Sequence, residues 1–383
     1  MTGVLSLPDR STPGAWRVDP GLALSAALLI LAGLVMVASA SVSFAASKFG
    51  SPLHFFWRQS AALAVGVGCG ALVFVIDLRF LRRIATVILF AGIAALSAVL
   101  IPGLGLEANG AVRWLDLGVV TFHPGEAMKL VFVVYVAAHL ANHGERIGRY
   151  GRHTLVPTAM YALVSALLLA EPDFGTVVVL GATLLGMLFV AGVPLRTFVV
   201  WTVLFAGGVA VLALSESYRI RRLLVFLNPF DSPYGDGFQL VQALIAVGRG
   251  EWFGAGLGGS VQKLFYLPAA HTDFLFAVVG EELGFMGMAA VIALFSVLIF
   301  RAFVIGGRAL ECGQQFNGHL AYGLALSLAF QAWINIGVNL GALPTKGLAL
   351  PFMSYGGNNL VASCVALGLL VRIDRETRVA EGR

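Results

Sequence analysis

The stretch from Gly21 to Ser43 reads GLALSAALLILAGLVMVASASVS and contains no charged residue. A helix needs about 20 apolar residues to cross the hydrocarbon core of a bilayer, so this run is long enough to span one. Its apolar residues follow one another without the alternation that a membrane β-strand would show. Ala38-Ser39-Ala40 resembles a signal-peptidase site, but the run exceeds the usual length of the apolar region of a signal peptide, which favours an uncleaved first span.

Nine further apolar runs follow along the chain. They lie near 57–77, 84–104, 126–141, 154–170, 174–193, 197–215, 273–300, 319–341 and 357–372. The ten runs predict an all-α, polytopic integral membrane protein with about ten transmembrane helices. We expect one membrane domain over 21–372, with tails at 1–20 and 373–383.

The composition excludes the other broad classes. Of the 383 residues, 58% are hydrophobic and only 12% are charged, whereas soluble domains carry about 25% charged residues. The net charge of +5 comes from arginines spread over many loops, so no nucleic-acid partner is expected. Three scattered cysteines without a Cys-x-x-Cys pair predict neither a disulfide framework nor a zinc site.

The positive charges predict the orientation of the chain in the membrane. If the N-terminus is cytoplasmic, the short outside segments and their flanks hold only Lys48, Arg58, Arg113, Lys129 and Lys346. Most of the 25 Lys and Arg then lie inside: Arg10, Arg17, Arg79, Arg82, Arg83, Arg146, Arg149, Arg152, Arg196, Arg301, Arg308, Arg372, Arg375, Arg378 and Arg383. Both termini are therefore predicted to be cytoplasmic.

Two outside connections are too long or too polar to be simple turns. The first covers 105–125, and the second, 216–272, is a large extracytoplasmic loop between helices 7 and 8. Loops of that length are uncommon unless they are functional. Apolar residues in 238–248 are spaced for one face of a short amphipathic helix, and we expect the loop to fold back onto the membrane surface.

Several polar residues lie where burial in lipid is costly. Glu126 and Lys129 are three residues apart on one helical face and can pair, either as a structural ion pair or as the lining of a charged cavity. Glu281 and Glu282 lie within the eighth span, and their role stays open. A stripe of three amides on the ninth span is typical of hydrogen bonds between helices: Gln331, Asn335 and Asn339.

Asp273 stands where the long outside loop enters an apolar helix, in the sequence His271-Thr272-Asp273. A carboxylate at that depth is partly dehydrated, which raises its pKa and suits it to general-base chemistry on a membrane-bound substrate. The same residue, or Thr272, is also a fair helix N-cap. The spacing alone leaves both interpretations open.

Positive charge gathers near the same predicted face. Lys346 lies in Pro344-Thr345-Lys346-Gly347, where backbone NH groups and a lysine could hold a phosphate, although a turn with an interfacial lysine explains the pattern equally well. Arg113 and Lys129 add two further cations. With the single carboxylate of Asp273, this set fits transfer chemistry with a diphosphate leaving group.

The motifs together resemble the SEDS family, the FtsW and RodA proteins of bacterial cell-wall synthesis. The resemblance runs in order from about residue 22 to 372. It rests on Ala111-Val-Arg113-Trp-Leu-Asp116, Pro124-Gly-Glu126-x-x-Lys129, Pro172-Asp-Phe-Gly175, Gln262-Lys-Leu264, Tyr266-Leu-Pro268, His271-Thr-Asp273, Gly280-Glu-Glu-Leu-Gly284 and Pro351-Phe-Met-Ser354. The Pro344-Thr-Lys346 pattern is more similar to the division-type FtsW proteins than to RodA.

The resemblance implies a peptidoglycan glycosyltransferase that polymerises lipid II into β-1,4-linked glycan during septal synthesis and releases undecaprenyl diphosphate. It implies that Asp273 is the catalytic acid/base. The positions implied to contact substrate or line its cavity are Arg113, Glu126, Lys129, His271, Lys346 and Ser354. No cofactor is certain, and a divalent cation, Mg²⁺ or Mn²⁺, stays open.

The resemblance also implies location and partners. We expect the bacterial cytoplasmic (inner) membrane at the division septum, a class B penicillin-binding protein as transpeptidase partner, and other membrane proteins of the division machinery. An elongation-type RodA polymerase, a lipid II flippase and a non-catalytic scaffold remain alternatives. The chain departs from the family pattern at Ala269, where Glu is common, at His123, where Gln is usual, and at Asn358-Asn359, where Ser is common.

Overall fold

The computed structural model describes residues 18–108, 111–116, 118, 121–149, 151–215, 217–235 and 237–382. The predicted tail as far as Arg17, and Arg383, lie outside the described residues. The helices are α1 (Pro20–Phe49), α2 (His54–Val75), α3 (Leu78–Val99), α4 (Pro124–Arg149), α5 (Leu155–Ala170), α6 (Phe174–Val190), α7 (Leu195–Leu214), α8 (Ser217–Leu227), α9 (Phe238–Gly250), α10 (Leu275–Glu311), α11 (Gln315–Asn339) and α12 (Gly357–Ala380).

Ten of these helices occupy the ten predicted apolar runs. Eight of the ten (α1, α2, α3, α4, α7, α10, α11 and α12) are long and apolar enough to cross a membrane. The other two, α5 and α6, are apolar but shorter, with 16 and 17 residues. The all-α, multi-pass membrane class is confirmed, whereas a total of ten crossings stays a prediction.

The spans differ in how much of their surface the protein covers. In α4 and α11 most residues of the apolar stretch are buried inside the protein, so these two helices form the centre of the bundle. In contrast, α7 has no fully buried residue: Phe198 and Trp201 pack partly buried against the core, and most of its other apolar side chains are exposed. Apolar exposure of this kind suits lipid contact, because lipid tails are as apolar as the side chains they touch.

The first outside connection is a small antiparallel sheet. Its strands are β1 (Gly105–Ala108), β2 (Ala111–Asp116) and β3 (Thr121–Phe122), in the order β1-β2-β3. Gly105 pairs with Leu115, which pairs with Phe122 on its other side. The sheet leads directly into α4 and so fixes the position of Arg113 on β2.

The second outside connection contains two helices, α8 and α9. The position of α9 confirms the amphipathic helix predicted at 238–248. Its C-terminal Gly250 lies so close to α10 that a Cβ atom there would be 1.8 Å from the carbonyl oxygen of Gly280. The end of α9 is therefore docked against α10.

Several helices run past the predicted ends of their membrane spans, and α10 does so by the most residues. The predicted eighth span stops at residue 300, but α10 continues to Glu311. Arg301 and Arg308, which the hydropathy pattern assigns to a loop, lie inside this helix and pair with Asp19 and Asp374. Because their charges are neutralised by neighbouring helices, they do not end the helix.

Candidate active site

A kink in α10 exposes backbone groups that bind the preceding loop, residues 251–274. Gly284 has φ 68° and ψ −164°, so the helical hydrogen-bond ladder is interrupted there. The freed backbone groups pair with the loop: Ala255 N donates to Glu281 O at 2.9 Å, and Phe285 N donates to Glu251 O at 2.8 Å. A Cβ atom on Gly284 would lie 2.4 Å from Gly254 N, so both the dihedral angles and the close approach require glycine.

Glu281 holds the next part of the loop. Its fully buried carboxylate accepts hydrogen bonds from Ser260 Oγ, from Val261 N at 2.9 Å and from Gln262 N at 3.2 Å. Arg249 Nη1 adds an ion pair at 3.1 Å. Glu281 thus acts as an anchor for the loop, which gives it the role that sequence spacing left open.

Glu282 forms a second anchor on the neighbouring face of α10. Its carboxylate accepts from Lys263 Nζ at 2.7 Å and from Ser39 Oγ at 2.7 Å. Lys263 and Glu282 are both buried. This ion pair ties the loop to α1 as well as to α10, because Ser39 belongs to α1.

Asp273 follows this anchored loop and is held through its backbone. Its carbonyl oxygen accepts from Asn335 Nδ2 and Asn339 Nδ2 of α11, each at 2.9 Å. The carboxylate faces Gly347, where an added Cβ atom would lie 3.1 Å from Asp273 Oδ2. The N-cap position of α10 is Phe274, not Thr272 or Asp273.

The segment 346–349 lies opposite Asp273. Lys346 Nζ stands 4.2 Å from the centre of the Phe174 ring, and burial lowers the pKa of this lysine to about 8. Asn335 Nδ2 donates to Leu348 O at 2.6 Å, and the same amide holds Asp273. One asparagine therefore fixes the spacing between the Asp273 backbone and the segment that carries Lys346.

Lys129 reaches the same segment indirectly. Its Nζ pairs with Glu126 Oε2 at 2.7 Å and donates to Gln331 Oε1 at 2.6 Å. Gln331 Nε2 in turn donates to Ala349 O at 2.8 Å. The predicted amide stripe on α11 thus supports the site as well as the helix packing, and the charge of Lys129 is already neutralised by a carboxylate.

Arg113 lies on the other side of the segment. Its Nε donates to Glu171 O at 3.1 Å, and its Nη2 donates to Pro172 O. These carbonyls precede Phe174, the residue whose ring lies under Lys346. The structure therefore brings Arg113, Lys346 and Asp273 to one side of the molecule through a continuous chain of contacts.

His271 and Ser354 lie behind this group. The His271 ring stacks among Phe44, Phe55 and Tyr355, and burial lowers its pKa to about 4, so the ring is neutral near pH 7. Ser354 is buried, and its Oγ accepts from Leu350 N at 3.0 Å. In this structure both residues shape the loops around the site.

Glu171 is a buried carboxyl that the sequence reasoning missed. Both of its carboxyl oxygens lack a hydrogen-bond partner within the described part of the chain. Burial, aided by the charge of Asp173 and opposed by Arg113, raises its pKa to about 8. Glu171 is therefore a neutral acid near pH 7, and its position directly after an apolar helix was the available signal.

Two departures from the family pattern meet in one contact. His123 N donates to Asn358 Oδ1 at 3.2 Å, and Asn358 Nδ2 donates to Thr121 O at 3.0 Å. Asn358 therefore links the start of α12 to strand β3 and to the entry of α4. At the third departure, Ala269 adopts φ 56° and its carbonyl accepts from Thr272 N.

Metal-ligating side chains do not cluster in the part of the chain that the structure describes. Among the described residues no group of three or more His, Cys, Asp or Glu side chains is arranged to hold a metal ion. Asp273 faces a glycine backbone and a lysine-bearing segment, which does not provide the several oxygen ligands that Mg²⁺ or Mn²⁺ prefers. The described residues around Asp273 therefore do not fit a divalent cation.

Comparisons with known proteins find relatives over nearly the whole chain. Residues 21–379 match the model of the FtsW/RodA/SpoVE cell cycle protein family. A probable peptidoglycan glycosyltransferase FtsW of Nitrosococcus halophilus is 49% identical over 371 residues, 96% of each chain. One of Alkalilimnicola ehrlichii is 47% identical over 96% of this chain and 92% of the relative.

Solved structures show the same fold. One match is a chain of a peptidoglycan synthase complex, in a structure concerned with the structural coordination of polymerization and crosslinking. Its TM-score is 0.76 at 31% identity, and the match covers 94% of this chain and 99% of that one. The rod shape determining protein RodA of Thermus thermophilus matches with a TM-score of 0.69 and 28% identity, covering 95% and 99%. The chain belongs to the FtsW/RodA/SpoVE family.

Proposed function

We propose that this chain is a peptidoglycan glycosyltransferase that polymerises lipid II into β-1,4-linked glycan and releases undecaprenyl diphosphate. The observation that carries the proposal is the placement of Asp273 against Gly347, next to Lys346. A carboxylate and a cation on neighbouring backbone segments are what a displacement at a sugar diphosphate requires. Relatives of nearly full length that are named as probable peptidoglycan glycosyltransferases support it.

The carboxylate of Asp273 acts as the general base. It takes the proton from the 4-hydroxyl of the acceptor sugar while that oxygen attacks the anomeric carbon of the donor. A new C–O bond forms as the bond between that carbon and the diphosphate oxygen breaks, and the electron pair leaves with the diphosphate. A single displacement inverts the α configuration of the donor to the β product. General-base catalysis contributes about 10²–10⁴-fold.

Lys346 is the cation that stabilises the leaving diphosphate. Lys129 is paired with Glu126, and Arg113 donates to two backbone carbonyls. Among the described residues, Lys346 makes no ion pair with a carboxylate, so its charge is available to an anionic group. The geometry thus favours Lys346 over the other two cations, with Arg113 behind it adding to the positive potential.

The partner and the location are part of the same proposal. A class B penicillin-binding protein would cross-link the glycan that this chain makes, and the similarity to a chain of a peptidoglycan synthase complex supports such a pairing. The similarity to proteins named FtsW supports a role at the division septum, in the cytoplasmic membrane. Both termini would lie inside, as the distribution of Lys and Arg predicts.

The test is polymerisation of lipid II by the purified full-length chain, with and without a class B penicillin-binding protein. We expect Asp273→Asn to lower the initial rate at least about 10²-fold, because the amide cannot accept the proton. The matched control is Asp116→Asn on β2, where the exposed side chain accepts from Gly118 N and Asn keeps that acceptor oxygen.

Two results would overturn the proposal. Wild-type rates in folded Asp273→Asn would remove Asp273 from the chemistry. Movement of lipid II between leaflets without any glycan product, in wild type and with the partner present, would make the chain a flippase.

A further inference from the structure

A cavity lined by residues of α3 and α4 lies far from Asp273. Its volume is about 590 Å³, and it opens between the start of α3 and the second half of α4. His143 on its wall follows Lys129 by fourteen residues on α4, which places it about 21 Å further along the helix. The cavity is therefore at the opposite end of the bundle from the candidate active site.

Hydrogen-bond donors dominate the walls of this cavity. Arg79, Arg82 and Arg83 come from the first turns of α3, and Asn142 comes from α4. Arg82 Nε donates to Asn142 Oδ1 at 3.1 Å, which fixes the guanidinium across the cavity and leaves the amide NH₂ of Asn142 as a donor. Among the described residues none of the three arginines forms an ion pair with a carboxylate. Guanidinium groups that line one cavity without a carboxylate partner suit the binding of a phosphate group.

An apolar stripe continues from the arginines along the same face of α3. Val87 and Phe90 follow Arg83 by four and seven residues, and they are 69% and 55% exposed. Exposed apolar side chains on a membrane-spanning helix face lipid tails. The cavity and the stripe together match a molecule with an anionic head and apolar tails, whereas a free phosphate would use only the cavity.

We propose that this cavity binds the phosphate headgroup of an anionic phospholipid whose tails lie along α3. The predicted orientation puts the site in the cytoplasmic leaflet. A general excess of positive charge on that side explains why arginines are present, but it does not explain their convergence on one cavity with Asn142. Basic pockets between membrane helices on the cytoplasmic side bind lipid headgroups in this way.

The test is direct binding to the purified full-length chain in a neutral detergent, with cardiolipin, phosphatidylcholine and inorganic diphosphate as three separate probes. We expect cardiolipin to bind at least about tenfold more tightly than phosphatidylcholine. Arg82→Gln and Asn142→Asp each lower the net charge of the cavity by one, and each should weaken cardiolipin binding about tenfold. Arg196→Gln, at the second residue of α7 and on the same predicted side, is the control and should change nothing.

Every outcome decides the proposal. Loss of cardiolipin binding in the two cavity variants but not in Arg196→Gln supports it, and Asn142→Asp tests it even if Arg82→Gln fails to fold. Equal weakening by Arg196→Gln shows a diffuse charge effect and overturns the site. Equal binding of phosphatidylcholine overturns the choice of an anionic lipid, and displacement of cardiolipin by equimolar diphosphate overturns the role of the tails.

Discussion

Lys346 is the cation of the proposed site whose charge changes close to neutral pH. Burial lowers its pKa to about 8, so it is mostly protonated at pH 7 and loses its charge as the pH rises through about 8. If this charge stabilises the leaving diphosphate, kcat/KM for lipid II polymerisation falls over the same range. Lys346→Arg keeps its charge beyond pH 12, so we expect this alkaline loss of activity to move upward by at least about one pH unit.

Lys48→Arg is the matched control for this pH profile. Lys48 is exposed at the end of α1, and its Nζ also lies near a phenylalanine ring, 5.5 Å from the centre of Phe44. The control should leave the alkaline limb where it is in the wild-type enzyme. An identical limb in Lys346→Arg and wild type would assign the pH dependence to another group and would end the role proposed for Lys346.

At the scale of elements, two adjacent buried carboxylates of α10 hold the loop that leads to Asp273, and their cationic partners differ in exposure. The Lys263–Glu282 pair is buried on both sides, whereas Arg249 in the Arg249–Glu281 pair is 46% exposed. Lys263→Met leaves Glu282 as a buried charge without its cation, so we expect a loss of about 3–5 kcal/mol in the free energy of unfolding. The measurement is reversible unfolding of the purified protein in detergent.

Arg249→Met is the corresponding change at the half-exposed pair. Glu281 keeps its bonds to Ser260 Oγ, Val261 N and Gln262 N, so the expected loss is below about 1 kcal/mol. Equal losses in the two variants would contradict the anchoring role of the buried pair. A loss of polymerisation in Lys263→Met at temperatures where it remains folded would show that the anchor also positions Asp273.

Most of the helices could be predicted from the sequence, because a chain segment in the membrane must satisfy its own backbone hydrogen bonds and therefore forms a helix. The apolar runs predicted the spans, and the helical spacing of apolar residues in 238–248 predicted α9. Hydropathy could not locate the end of α10, because Arg301 is paired with a carboxylate of another helix. The partners of Glu281 and Glu282 lie nineteen or more residues away in the sequence or on another helix. The spacing of neighbouring residues cannot predict such contacts, because they depend on the kink in α10 and on the loop that folds back against it.

At the scale of the whole molecule, an ion network joins the first and last helices through α10. Asp19 at the start of α1 pairs with Arg301, and Asp374 on α12 pairs with Arg308 and Arg378. Asp19 N also donates to Asp374 Oδ2 at 3.1 Å. The network holds α1, α10 and α12 together at the end of the bundle opposite Asp273. One end of the bundle thus contains the candidate active site, and the other contains this stabilising network.

Asp19→Asn tests how much this network stabilises the bundle. Burial alone would raise the pKa of Asp19, but hydrogen bonds from Arg301 and Leu22 N, together with the charges of Arg301 and Arg308, hold the pKa below its usual value. The ionised form therefore adds stability that is complete at neutral pH and is lost as the pH falls below about 4. We expect Asp19→Asn to lower the free energy of unfolding by about 1.5 kcal/mol at pH 7 and to reduce the loss of stability at acid pH, measured by unfolding at a series of pH values.

Asp77→Asn is the control, because Asp77 caps α3 through Arg79 N and Asn caps a helix as well as Asp does. Equal losses in both variants at pH 7 would show that helix capping, and not the ion network, provides the stability.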